Sequence, residues 1–161
     1  MKLRLFILIA CLCLGSAVLG FWFGFRDGAQ MGIMFDSIPR GSIALFDLSH
    51  ANQGQVTRNM VIGFEGDVDL ALLNAYRLER DPLYPLLEPV WAFPLSNAHD
   101  ALVRVANYRK VHPSPLSSTA LAKEPVPDTA QARAYRRDLL EGTKETDRIV
   151  ELMVKKYAQS R

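Results

Sequence analysis

The chain has 161 residues, 49% of them hydrophobic and 22% charged, with two cysteines and a formal net charge of +2. Of 19 Lys and Arg, only Lys2 and Arg4 precede the apolar run that starts at Leu5, and the remaining 17 equal the 17 Asp and Glu in number. That balance excludes a basic nucleic-acid surface on the main body, and two cysteines confined to positions 11 and 13 exclude a disulfide framework or a thiolate metal site beyond them.

Chain order begins with an apolar run without a charged side chain, Leu5 to Phe25. As a helix it measures ~31 Å, close to the ~30 Å hydrocarbon layer of a bilayer, so the sequence predicts a transmembrane signal anchor over 5–25. Residues 1–4 are then cytoplasmic and the rest of the chain external, periplasmic in a Gram-negative bacterium, because Lys2 and Arg4 outweigh the adjacent Arg26–Asp27 pair. The competing reading is a signal peptide cut after Ala17, with Gly15 and Ala17 as the small residues before the cut. The apolar stretch continues through Phe21, Trp22, Phe23 and Phe25, which favours the uncleaved form.

Ser16, Gly20, Gly24, Gly28 and Gly32 recur every four residues. Small residues at that spacing let helix backbones approach closely, so this ladder is the candidate helix–helix association surface. It extends into an expected juxtamembrane helix over 26–35.

The nine prolines map the remainder. Proline breaks helix interiors, so the proline-free intervals 40–81, 95–112 and 128–161 are where helices are expected. In the first, Val61, Phe64, Val68, Leu72, Ala75 and Leu78 share a stripe, while Gly63 and Gly66 predict a break with a second piece starting near Asp67. In the second, Ser96 is the expected N-cap, and Ala98, Leu102, Val105 and Tyr108 or Arg109 lie at helical spacing. In the third, Asp128 and Gln131 form a capping-box pattern, and Ala132, Tyr135, Leu139, Gly142, Thr146, Ile149 and Met153 trace a polar, interrupted heptad stripe.

The predicted fold is mainly α: one N-terminal transmembrane helix, a small external helical domain over 36–112, a linker over 113–127 and a C-terminal helical arm over 128–161. Within the domain, the proline-rich connection 81–96 is unusually apolar and aromatic, and Tyr84, Trp91 and Phe93 are its candidate partner-docking anchors.

Catalytic signatures are scarce. Glu65, Asp67 and Asp69 are the densest carboxylate group, but alternate residues on a helix point ~200° apart, which fits first-turn carboxylates better than an ion site. His50, His99 and His112 are far apart in sequence and form no metal motif. No catalytic residue, cofactor site or metal site is assigned. The expected role is a non-catalytic interaction or accessory subunit of an envelope assembly, with the lipid bilayer, a membrane or envelope protein, or a second copy as partner. The alternative is an exported enzyme or lipid-binding protein.

Overall fold

The structure, a computed structural model, describes residues 2–51, 56–85 and 95–158. Among these the elements are all helical: α1 (Lys2–His50), α2 (Arg58–Arg80), α3 (Leu95–Val111), the single turn α4 (Ser118–Leu121) and α5 (Ala130–Tyr157). The chain divides into two compact units, Met1–Ile33 and Met34–Arg161.

The expectation of a mainly α fold holds. The transmembrane element does not: among the described residues, no helix is long and apolar enough to cross a membrane. The apolar run is not a discrete span but the beginning of a 49-residue helix that includes Arg26, Asp27, Asp36, Arg40 and Asp47. The single-pass placement over 5–25, with a cytoplasmic N-terminus and an external body, is therefore corrected.

In the first unit most of the described large apolar side chains of α1 face solvent, and Met31 is buried. Leu12, Leu14, Val18, Phe21, Trp22 and Phe25 are each 64–74% exposed. Phe21 and Phe25, one turn apart, stack with ring centroids 6.1 Å apart.

In the second unit, α2 and α3 pack on each other and both receive α5, while α4 lies on α5. The predicted stripes form this core. Val68, Leu72, Ala75 and Leu78 of α2 and Leu102 and Val105 of α3 are fully buried. Each fully buried Leu stabilises the fold by roughly 1.5–3 kcal/mol relative to exposure. From α5 only the second half enters, through Ile149, Val150 and Met153, whereas Tyr135 and Leu139 upstream stay exposed.

The α1 residues of this unit close against the α2–α3 pair. Gly41 permits the approach: a β-carbon there would lie 2.5 Å from the Ala71 Cβ and 3.0 Å from the Asp67 carbonyl oxygen. Asn74 of α2 donates a buried hydrogen bond to the Ser37 hydroxyl at 3.0 Å, and Arg104 of α3 donates to Ser42 at 3.1 Å. These contacts hold the helix through Pro39, which lacks an N–H to donate.

Local helix limits differ from the expected ones. α2 runs unbroken through Gly63 and Gly66 from an N-cap at Thr57, whose hydroxyl accepts from the Met60 N–H. α5 runs unbroken through Gly142, and its N-cap is Thr129, one residue beyond the expected Asp128. A glycine costs a helix interior only ~1 kcal/mol, and burial of the α2 and α5 apolar faces exceeds that.

Candidate functional site

Glu65 and Asp69 stand four residues apart on α2, so both carboxylates fall on one face. Opposite them is Arg109 in the last turn of α3, its side chain only 3% exposed. Arg109 Nη1 donates to Glu65 Oε2 at 2.8 Å and to the His112 carbonyl at 3.0 Å, and Nη2 donates to the Glu65 carbonyl at 3.0 Å. Its Nε lies 2.8 Å from Asp69 Oδ1, but the N–H does not point along that line, so this contact is ionic without being a hydrogen bond.

A second ring of groups completes the cluster. The Tyr108 hydroxyl donates to Glu65 Oε1 at 2.7 Å, and the Ser114 hydroxyl donates to Asp69 Oδ2. Ser114 Oγ in turn accepts from the Leu116 N–H at 3.1 Å. The cluster thus fastens α2, the end of α3 and the start of the 112–117 connection at one point.

Burial governs its electrostatics. Asp69 has its pKa raised, chiefly by desolvation, with Glu65 adding to the rise while Arg109 and the Ser114 hydrogen bond oppose it. Tyr108 is pushed up to about 12 by desolvation first and then by its bond to the Glu65 carboxylate. A guanidinium holding two carboxylates and two carbonyls is a structural clamp whose groups face each other.

Three further polar links tie α5 in place. Asp147 Oδ2 accepts from the Ser118 N–H at 2.8 Å and from its hydroxyl at 2.5 Å. Glu79 of α2 receives Lys156 Nζ at 2.6 Å and the Tyr157 hydroxyl. Burial and that carboxylate raise the Tyr157 pKa. Arg136 Nη2 donates to the Leu121 carbonyl at 2.9 Å and to that of Ala122, so the stretch read as a linker is bound to α5.

Beside the cluster lies a groove of about 660 Å3, between the last turn of α3, the 113–123 connection and the second half of α5. A smaller hollow of about 270 Å3 opens by Asp69, Leu116 and Thr146, and Ser114, Asp147 and Val150 line both. Among the described residues no group of three or more His, Cys, Asp or Glu is placed to hold a metal ion.

Comparison with protein-family models, with curated proteins and with solved structures finds no match.

The residues singled out by sequence fall in different places. Ser16 is exposed and its hydroxyl donates to the Cys13 carbonyl at 2.9 Å. A β-carbon at Gly20 or Gly24 would meet nothing within 4 Å, so both backbones are approachable. Gly28 is buried and Gly32 half-buried. Tyr84 is half-buried, its hydroxyl accepting from the Leu95 N–H at 3.0 Å, while Trp91 and Phe93 lie outside the described residues. Of the acidic trio, Glu65 and Asp69 come together and Asp67 does not join them.

Arg109 is the residue that sequence reasoning missed. Its signal was present: a cation on the apolar stripe of one helix, and two acids at a four-residue spacing on another. His99 Nδ1 and Asp100 Oδ1 lie 3.8 Å apart at the surface, too far for a hydrogen bond. His112 stacks on the Tyr108 ring, with centroids 4.5 Å apart.

Proposed function

We propose that the protein is a non-catalytic helical interaction module, an accessory subunit that associates through the first half of α1. One observation carries this reading. Leu14, Val18, Phe21, Trp22 and Phe25 occupy steps of four, three, one and three along α1, which is one helical face, and all are largely exposed. Contiguous exposed apolar surface of this kind marks an interaction site in proteins at large.

The neighbouring face adds access. Gly20 and Gly24 carry no side chain and have open space beside them, so a second helix can approach the α1 backbone closely. A second copy of α1 supplies the matching apolar face. Cys13, free and exposed, precedes Gly20 by seven residues and therefore lies on the glycine face, where it reports such an encounter.

The experiment is oxidative crosslinking of full-length Cys11→Ala protein through Cys13, alongside sedimentation of the untreated chain. Association through the glycine face yields a Cys13-linked dimer, and Gly20→Leu with Gly24→Leu removes most of it. A chain that sediments as a monomer at every concentration and gives no crosslink refutes self-association. A crosslink that is indifferent to the leucine substitutions removes the glycines from the interface.

A further inference from the structure

The 660 Å3 groove lies within the range of about 300–1,000 Å3 typical of small-molecule sites. Its apolar lining is aliphatic, from Val150 and Val154 of α5, Ala120 of α4 and the prolines at 113 and 115. Its exposed margin carries Lys110, Lys123 and Lys155. Lys123 and Lys155 make no ion pair among the described residues.

The opposing charges are fewer. Arg109 is turned inward to Glu65 and Asp69 and offers its charge to them. Of the two carboxylates in the lining, Asp147 is engaged by the Ser118 amide and hydroxyl, which leaves Glu151. An aliphatic trough edged by the Lys123 and Lys155 ammonium groups disfavours cations and favours an anion with an apolar body.

We propose that this groove binds a small monocarboxylate with a hydrocarbon body, its chain packed on Val150 and Val154 and its carboxylate paired with Lys123 and Lys155. The site belongs wholly to the second unit and is independent of association through α1.

The test is a methyl NMR titration of the full-length, isotope-labelled protein with octanoate, octanol and octylammonium in parallel. The Val150 and Val154 methyls report the groove, Val68 the core and Val18 adsorption on the exposed part of α1. Octanoate produces saturable shifts at Val150 and Val154, octanol binds about fivefold more weakly, the upper scale of an exposed charge contact, and octylammonium more weakly still. Lys123→Glu with Lys155→Glu abolishes the preference for octanoate over octanol while Val68 stays in place. The proposal fails if octanol equals octanoate in the unmodified protein, if Val18 shifts in step with Val150 and Val154 without saturation, or if the groove methyls do not respond.

Discussion

Arg109→Met isolates what the buried clamp contributes. Methionine keeps most of the aliphatic volume and removes three hydrogen bonds and one ionic contact, leaving Glu65 and Asp69 buried without their cation. Breaking a buried ion pair by removing one partner costs about 3–5 kcal/mol, because the remaining charge is stranded away from water. Against a total stability of roughly 5–15 kcal/mol that is a large fraction. At a denaturant slope of about 2 kcal/mol per molar urea, the unfolding midpoint at neutral pH falls by about 2 M. Helical circular dichroism across a urea series measures it directly. The loss shrinks in acid, where protonation relieves Asp69. Arg109→Lys keeps the charge but cannot span both acids and two carbonyls, so it recovers less than half of the loss. A midpoint within about 0.3 M of the unmodified protein at neutral pH would show that the clamp contributes nothing measurable to stability.

Two further outcomes follow from the packing and the burial. Gly41→Ala forces a β-carbon against Ala71 and the Asp67 carbonyl. It lowers stability by about 1–2 kcal/mol, an overpacking cost partly offset by the better helix propensity of alanine. Gly63→Ala meets nothing within 4 Å and gains up to about 1 kcal/mol. Thermal unfolding of the two variants side by side decides this, and a Gly41→Ala protein as stable as Gly63→Ala would contradict the close approach of α1 to α2. Asp69 has its pKa raised in the fold, so the folded state holds its proton to a higher pH than the unfolded state. Its contribution is therefore full below the ordinary Asp pKa of about 4 and declines as pH rises through the folded value. The stability difference between the unmodified protein and Asp69→Asn should fall over that rise and then level off. A difference that grows with pH in urea titrations reverses the sign and sinks the assignment.

The sequence made the helices of the second unit legible through proline-free intervals, and it made their inward faces legible through Val68, Leu72, Ala75 and Leu78 on α2 and Ala98, Leu102 and Val105 on α3. Propensity misled at Gly63 and Gly66, where packing of the whole helix outweighs a local penalty. Gly41 was invisible as a close-approach position because nothing local distinguishes it from the glycines of the ladder; only the partner backbone does. The acidic trio was read by its alternate spacing when the informative spacing was the four residues from Glu65 to Asp69. Their convergence on Arg109 needs a contact 44 residues away in sequence, which periodicity within one helix cannot supply. The span over 5–25 was read from hydropathy alone, and hydropathy does not indicate where a helix ends.

The clamp has a consequence for which alignment of α2 and α3 is possible. The buried side chains of the two helices are mostly aliphatic, among them Val68, Leu72 and Ala75 of α2 and Ala98, Leu102 and Val105 of α3. Sliding one helix along the other by a turn, ~5.4 Å, would still set apolar groups against apolar groups. It would also carry Arg109 past both of its acids and leave charges of each sign unmatched in a dry interior, at a cost of several kcal/mol. The apolar seam supplies adhesion without a preferred register. The three buried charges supply the register.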